Sequence, residues 1–279
     1  MGLPRLDGKV AVVTGAGRGL GRSHALLLAE LGAGVLVNDL GTSLDGSGRD
    51  GAPAAEVVAT IRAAGGRAEA DGTDIASLAG GRAVVERAVG AFGRVDIVVN
   101  NAGFAAGGGT VIAPDEMGLD ALLSVHLKAA IGTMSAAFAH FAAQGGGRIV
   151  NTVSEASLDP RYVASLGYAA AKAALWGATL AAAVEGRAHG TTVNAVSPGA
   201  RTRMNADLLD RGFRDGASAQ LDLDPRYVSR VVAYLVSDDA ADITGHVVHA
   251  AGGQLREYTT ARTSRSELVE RLEAVIHDP

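Results

Sequence analysis

The chain has 279 residues, near the upper limit for one hydrophobic core, and 48% of them are hydrophobic while 20% are charged, as in globular proteins. The formal net charge of −5 gives no basic field for nucleic acid, and the lack of cysteine excludes disulfides, thiolate zinc sites and cysteine nucleophiles. We find no signal-peptide pattern and no apolar run of membrane length, so we expect a cytoplasmic protein with no membrane, nucleic-acid or metal partner.

The first forty residues have the order strand, glycine-rich turn, helix, strand. Two short apolar runs, Val10–Thr14 and Val35–Asp39, flank a turn that contains Gly15, Gly19 and Gly21 and a segment with leucines at helical spacing. This order predicts a βαβ unit whose turn lets backbone amides approach a pyrophosphate at the start of the helix. The glycine spacing is a variant of the usual dinucleotide-binding fingerprint, and by itself it does not predict dinucleotide binding.

An acidic residue, Asp39, ends the second predicted strand. A carboxylate at this point can accept both hydrogen bonds from an adenosine ribose diol, and it would repel a 2′-phosphate. Arg18 in the turn has two interpretations, since it could approach a 2′-phosphate, or it could cap the helix or lie on the turn surface. The complete unit predicts dinucleotide binding, and Asp39 favours NAD over NADP.

Two further strands follow, each with polar residues at its end. Arg67–Asp71 begins the third strand, and Asp74 could contact an adenine amine, cap the helix predicted at Ser77–Phe92, or do both. Val95–Val99 is a β-branched run typical of a buried parallel strand. It leads into the polar segment Asn100–Gly103.

The second half of the chain continues the alternation. Asp115–Ala143 predicts one long helix with His126 in its middle, Arg148–Val153 a fifth strand with Ser154 at its end, and Tyr162–Ala188 another helix. The remaining predicted elements are a strand at Thr192–Val196, a turn at Ser197–Gly199, a helix from Pro225 to Val236, a strand at His246–Ala250 and an amphipathic helix at Thr263–Ile276. The sequence therefore predicts an α/β fold with a doubly wound, parallel, seven-stranded sheet and helices on both faces. We expect one domain at 1–255 and a C-terminal extension at 256–279.

Tyr168 and Lys172 lie four residues apart in the second of these long helices, so they share one helix face. An ammonium group beside a phenol favours the phenolate and lowers its pKa. Such pairs also occur on ordinary helix surfaces. The chain has only three lysines among its 25 basic residues, and arginine cannot replace a compact ammonium group, which favours a specific role for Lys172.

Five motifs stand in a recognisable order: Thr14-Gly15-x-x-x-Gly19-x-Gly21, Asn100-Asn101-Ala102-Gly103, Ser154, Tyr168-x-x-x-Lys172 and Pro198-Gly199. Together they resemble the short-chain dehydrogenase/reductase family over about residues 6–255. Further segments, such as Val125-His126-Leu127-Lys128, are similar to the branch that contains the (3R)-hydroxyacyl-CoA dehydrogenase of peroxisomal multifunctional enzyme type 2, also called a 17β-hydroxysteroid dehydrogenase.

The resemblance implies a Rossmann-type fold and a nicotinamide cofactor. It implies that Tyr168 moves the hydroxyl proton, that Lys172 lowers the Tyr168 pKa and holds the nicotinamide ribose, and that Ser154 binds the reacting oxygen. The implied cofactor-binding residues are Gly15, Arg18, Gly19, Leu20, Gly21, Asp39, Leu40, Asp74, Ile75, Asn101, Ala102, Gly103, Tyr168, Lys172, Pro198, Gly199 and Thr202.

The chain departs from the family pattern near Ser154. The family places its serine thirteen residues before the tyrosine, where this chain has Glu155, so we infer a one-residue insertion in the Asp159–Leu166 loop. Ser157 is the weaker serine candidate. We expect Glu155 to be exposed, because a buried carboxylate is costly.

Two more departures concern His126 and Thr202. His126 replaces the asparagine that relays protons in the family, and it has two interpretations, a relay residue or a packing histidine bonded to the backbone. Thr202 comes one residue earlier than usual, which leaves its contact with the cofactor open.

These motifs predict an NAD-dependent oxidoreductase that interconverts a secondary alcohol and a ketone on a hydrophobic substrate, a 3-hydroxyacyl-CoA or a hydroxysteroid. The alternatives are an NADPH-linked ketoreductase of biosynthesis and a catalytically silent dinucleotide-binding scaffold. Arg201–Leu223 is expected to cover the substrate pocket, and its arginines could meet a CoA phosphate or lie in solvent. The family implies a homodimer or homotetramer.

Overall fold

The computed structural model describes residues 3–44, 46–162, 165–204 and 222–259, which form one sheet with helices on both faces. The strands are β1 (Val10–Thr14), β2 (Gly34–Asn38), β3 (Arg67–Asp71), β4 (Ile97–Asn100), β5 (Gly147–Thr152), β6 (Thr191–Gly199), β7 (Val247–Ala251) and β8 (Gln254–Tyr258). Their order is β3-β2-β1-β4-β5-β6-β7-β8. The first seven strands are parallel, and β8 runs antiparallel to β7.

The helices are α1 (Gly19–Glu30), α2 (Ala52–Ala63), α3 (Leu78–Phe92), α4 (Glu116–Leu123), α5 (Ala129–Gln144), α6 (Leu166–Gly186) and α7 (Pro225–Leu235). One apolar cluster packs α1, α2 and α7 on one face of the sheet, and a second packs α3 and α5 on the other. The buried strands β1, β2 and β4 separate the two clusters, because their alternate side chains point to opposite faces. The predicted doubly wound α/β fold is confirmed.

The sheet has eight strands rather than the seven predicted. The eighth, β8, is mostly exposed and polar, so its sequence lacks the apolar alternation of a half-buried strand. It forms because Gly252 and Gly253, both with positive φ, turn the chain back along β7. The strand spans the predicted boundary between residues 255 and 256, and the helix predicted at Thr263–Ile276 lies outside the described residues.

The long helix predicted at Asp115–Ala143 is present, with an irregular middle. A π-helical segment at Ser124–Lys128 joins α4 to α5, and it contains the buried His126. Glu116–Gln144 is long and apolar enough, by length and composition, to cross a membrane, but half of its most apolar window is buried inside the fold, as in a core helix.

The strand order changes direction between β1 and β4, which places a crevice at the carboxyl edge of the sheet. The strand ends at this edge carry Thr14, Asn38, Asn100 and Thr152. Ser197–Gly199, predicted as a turn, continues β6 toward the same edge.

Candidate active site

The glycine turn between β1 and α1 has no room for side chains at several of its glycines. A Cβ atom on Gly21 would lie 2.1 Å from the Gly15 carbonyl oxygen, and one on Gly15 would lie 2.7 Å from Ala102 Cα. Gly19 has φ of +53° and more open surroundings, where Thr202 Cγ2 would lie 3.7 Å from a Cβ atom. The turn therefore presents bare backbone at the start of α1, a cradle that suits a phosphate.

Asp39 is fixed opposite this turn by two backbone amides. Gly17 N donates to Asp39 Oδ2 at 2.7 Å, and Gly41 N donates to Asp39 Oδ1 at 2.7 Å. Each carboxylate oxygen keeps lone pairs for a further donor. Arg18 lies 3.9 Å from Asp50 in an ion pair on the turn surface, as one of its two interpretations expected.

Asp74 is engaged with other protein groups. Its Oδ1 accepts from Ala76 N at 3.0 Å, and its Oδ2 accepts from Arg49 at 2.9 Å. The cap of α3 is Ser77, whose hydroxyl accepts from Gly80 N, so the helix-capping interpretation of Asp74 is wrong. Ile75 next to it is buried in the apolar cluster under α3 and α5.

The turn after β4 is tied to the turn after β1. Asn101 Nδ2 donates to the carbonyl oxygens of Thr14 and Gly15, at 3.0 and 3.2 Å. The Thr14 hydroxyl accepts from the backbone N atoms of Asn101 and Ala102. These bonds fix the floor of the crevice, and they give Asn101 a structural role that its motif alone does not reveal.

A buried polar network beneath the crevice was not identified from the sequence. Asn100 Nδ2 donates to Asn151 Oδ1 at 2.8 Å and Asn100 Oδ1 accepts from the Thr133 hydroxyl at 2.7 Å, while Asn151 Nδ2 donates to Thr179 at 2.9 Å. The network joins β4 and β5 to α5 and α6. Its only sequence indication is the presence of polar residues at the ends of otherwise apolar strands.

Ser154 and Tyr168 meet at the carboxyl end of β5. Their hydroxyls lie close enough for Ser154 to act on the Tyr168 phenol, although they come from different elements: Ser154 caps the short helical turn Glu155–Ser157, and Tyr168 lies in the first turn of α6. Burial of the hydroxyl raises the Tyr168 pKa, and the nearby Ser154 hydroxyl opposes this effect. The net direction is upward, so the lowering of the Tyr168 pKa expected from Lys172 is not seen in this structure.

Lys172 is buried, with 3% of its surface exposed, and points into the protein. Its Nζ donates to the Thr152 carbonyl oxygen at 2.6 Å and lies 5.7 Å from the centre of the Tyr168 ring. Burial lowers the Lys172 pKa from its ordinary value to about 7. An ammonium group whose proton is held this weakly can take part in proton exchange near neutral pH.

His126 lies beside Tyr168, with ring centres 5.5 Å apart in an edge-to-face arrangement. Its Nε2 donates to the Phe104 carbonyl oxygen at 2.8 Å, which agrees with the packing interpretation. Its buried Nδ1 has no partner in the described part of the chain, so the relay interpretation also stays open. Burial first, and the Lys172 charge second, hold the His126 pKa well below its usual value, so the ring is neutral.

Glu155 is not exposed, and that expectation is wrong. Its side chain keeps 18% exposure, and its Oε1 accepts from the Tyr258 hydroxyl at 2.6 Å. The partner comes from β8, the strand that the sequence did not predict. Ser157, the weaker serine candidate, donates its hydroxyl to the Ser154 carbonyl oxygen at 2.8 Å and is used in the turn itself.

The remaining candidates lie in or next to elements that end at this edge: Leu20, Leu40, Gly103, Pro198, Gly199 and Thr202. The cradle at Gly19, the anchored carboxylate of Asp39 and the inward-pointing Lys172 fit a nicotinamide dinucleotide lying across the crevice. Arg201–Leu223, the expected cover, lies largely outside the described residues.

Comparison with known proteins gives one family. The model of the short chain dehydrogenase family matches residues 9–211. Two similar relatives are peroxisomal multifunctional enzyme type 2 of Drosophila melanogaster, 40% identical over 89% of this chain, and a hydroxyacyl-CoA dehydrogenase of Mycobacterium tuberculosis, 40% identical over 90% of it. The chain spans 40% of the length of the Drosophila protein and 79% of the mycobacterial one.

Solved structures agree with this family assignment. A short chain dehydrogenase from Mycobacterium avium is 38% identical, with a TM-score of 0.79 over 97% of this chain and 95% of its own. The two proteins are therefore similar in sequence as well as in fold.

Proposed function

The chain belongs to the short-chain dehydrogenase family, and from this premise we propose that it is an NAD-dependent oxidoreductase that interconverts a secondary alcohol and a ketone on a hydrophobic substrate. We propose a 3-hydroxyacyl-CoA or a hydroxysteroid as that substrate. The observation that carries the proposal is the meeting of the Ser154 and Tyr168 hydroxyls over the buried Lys172.

The two hydroxyls divide the work on the substrate oxygen. Tyr168 accepts the proton of the alcohol, or returns it to the ketone in the reverse direction. Ser154 donates a hydrogen bond to the same oxygen, where negative charge develops. When bound, the oxidised nicotinamide supplies the hydride acceptor and a positive charge at the site.

Lys172 supports both the geometry and the proton balance. Its hydrogen bond to Thr152 holds α6 against the end of β5, and its proximity to Tyr168 favours the phenolate whenever the ammonium is charged. Because burial brings the Lys172 pKa to about 7, the charge on this group is poised to change near neutral pH.

The preference for NAD over NADP rests on Asp39. Its carboxylate is held in place by Gly17 and Gly41, so it cannot swing away from a 2′-phosphate. Arg18 is paired with Asp50 and lies 3.9 Å from it. An anchored anion whose neighbouring arginine is paired elsewhere favours a ribose diol over a phosphate.

Two observations support the substrate class: the activities for which similar proteins are named, and an exposed apolar hairpin beside the site. The hairpin between Gly109 and Pro114 presents Val111 and Ile112, which are 81% and 97% exposed. It stands beside the site, because a Cβ atom on Gly108 would lie 2.7 Å from Gly167 Cα, next to Tyr168. Exposed apolar side chains next to Tyr168 suit an acyl chain or a steroid ring system.

The experiment is a panel of 3-hydroxyacyl-CoAs, hydroxysteroids and simple secondary alcohols, each measured with NAD and with NADP in both directions. The proposal predicts turnover that increases with the apolar size of the substrate and a higher kcat/KM for NAD. A higher kcat/KM for NADPH with ketones would support the biosynthetic ketoreductase. Bound NAD without turnover on any member would support the silent scaffold. The homodimer or homotetramer and the cytoplasmic location stay predictions.

A further inference from the structure

A polar cluster lies beside Ser154 on the sheet face that α6 covers. The register of β6, β7 and β8 puts Ser197, His249 and Arg256 side by side, because Ser197 pairs with His249 and His249 pairs with Arg256. Tyr258 stands two residues farther along β8, on the same face. Glu155 reaches over this face from the turn after β5.

Glu155 makes its closest contact with Tyr258. The Tyr258 hydroxyl donates to Glu155 Oε1 at 2.6 Å. Arg256 and His249 lie 3.6 and 3.5 Å from the same oxygen. Because burial lowers the His249 pKa, this ring is neutral at pH 7 and its contact with Glu155 is not an ion pair. The carboxylate is thus held mainly by one hydroxyl and one guanidinium.

Tyr258, the partner of Glu155, is held rigidly in the sheet. The Tyr258 ring packs against the apolar cluster of Val153, Leu175 and Val247. Since β8 is bonded along its length to β7, the hydroxyl is fixed with respect to the sheet. A carboxylate bound to such a hydroxyl cannot shift without breaking the bond or moving the strand.

The other end of Glu155 is the backbone that carries Ser154. Glu155 is the first residue of the short helical turn that Ser154 caps, and the Ser154 hydroxyl accepts from Ala156 N at 3.2 Å. The orientation of this turn sets where the Ser154 hydroxyl points, and Ser154 meets Tyr168 at that point.

We propose that Glu155, anchored by Tyr258, is a positioning residue that fixes the turn presenting Ser154 to the reacting oxygen. The inference rests on the proposed role of Ser154. It gives β8 a part in the active site, although the strand itself does not contact the substrate. The structural alternative is that the bond only stabilises the C-terminal edge of the sheet.

The test uses Tyr258→Phe, which keeps the ring and removes the donor, with Tyr234→Phe on the partly exposed face of α7 as the matched control. We expect kcat for the best alcohol of the panel to fall about tenfold in Tyr258→Phe, the effect of losing a hydrogen bond to a charged group. The Kd for NAD and the KM for the alcohol stay within about twofold, because a misplaced Ser154 hydroxyl weakens the stabilisation of charge that develops only in the transition state. The control keeps its kcat.

Variants of Glu155 complete the test and do not depend on the folding of Tyr258→Phe. Glu155→Gln keeps an acceptor for the Tyr258 hydroxyl and is expected to retain most of kcat, whereas Glu155→Ala loses as much as Tyr258→Phe. The double variant Glu155→Ala/Tyr258→Phe is expected to be no slower than Glu155→Ala, since both changes break one interaction.

The inference is overturned if Tyr258→Phe keeps kcat within twofold, if Glu155→Gln and Glu155→Ala lose kcat equally, or if the two losses multiply in the double variant. It is also overturned if the loss appears equally in the Kd for NAD. A parent protein without turnover on any alcohol refutes the proposed function instead, so the two failures are distinguishable.

Discussion

The Nζ atom of Lys172 donates a 2.6 Å hydrogen bond to the carbonyl oxygen of Thr152, two residues before Ser154. This bond joins the helix that carries Tyr168 to the strand that leads to Ser154, so one buried lysine sets the distance between the two hydroxyl-bearing elements. It also gives the buried amino group a hydrogen-bond acceptor in the interior.

Burial of Lys172 makes the stability of the cofactor-free protein depend on pH. The Lys172 pKa falls from 10.5 to about 7 on folding, so between these values the unfolded chain binds more protons than the folded one. The free energy of unfolding therefore rises with pH across this window, by at most about 1.4 kcal/mol per unit. Lys172→Met removes this rise and abolishes turnover.

Urea denaturation of the cofactor-free protein at several pH values between 6 and 10 checks this prediction, with Lys128→Met as the matched variant. Lys128 is exposed and donates to the Ser124 hydroxyl at 3.4 Å on the protein surface. The same pH dependence in the parent protein and in Lys172→Met would contradict the burial account.

Gly103 leaves no space for a side chain beside His126. A Cβ atom there would lie 2.1 Å from His126 Cε1, so Gly103→Ala must displace the imidazole or the turn after β4. We expect the free energy of unfolding to fall by roughly 1–3 kcal/mol and the affinity for NAD to fall with it. Gly177→Ala in α6 is the control, because nothing lies within 4 Å of its Cβ position and alanine is the better helix former.

Thermal unfolding and NAD titration of the two glycine variants distinguish the outcomes. Gly177→Ala is expected to match or exceed the parent in stability. If Gly103→Ala were equally stable, the contact between Gly103 and His126 would not constrain the site.

The parts of the fold that follow a repeating pattern were predictable from sequence. Three features depend on local spacing in this way: the order strand, turn, helix around Gly15, the position of Asp39 directly after β2, and the placement of Tyr168 and Lys172 on one helix face. Local spacing also identified the long helix after Asp115, since leucines recur along it.

The parts that depend on contacts distant in sequence were not predictable. β8 exists because it pairs with β7, and its own residues carry no apolar alternation. The partial burial of Glu155 follows from Tyr258, 103 residues away. The π-helical segment that holds His126 depends on how α4 and α5 pack, which no spacing of apolar residues encodes.

Asp39 is predicted to control cofactor choice. Asp39→Asn keeps an oxygen for one of the two backbone amides and removes the negative charge, so repulsion of a 2′-phosphate disappears. We expect kcat/KM for NAD to fall about tenfold and kcat/KM for NADP to rise, at an unchanged kcat for the alcohol. Glu69→Gln is the control, since it removes a surface charge that is paired with Arg62 and leaves the pair of Arg18 with Asp50 intact. An unchanged ratio of the two kcat/KM values in Asp39→Asn refutes this role.

The proton-transfer role of Tyr168 is the central claim, and Tyr168→Phe tests it most directly. The variant keeps the ring beside His126 and removes the hydroxyl that lies near Ser154. The measurement is kcat for the best alcohol, together with the Kd for NAD from titration of the same samples. We predict that kcat falls by about 10²–10⁴-fold while the Kd for NAD stays within about twofold. A kcat close to that of the parent, with NAD bound normally, would show that the phenol does not carry the proton and would contradict the account.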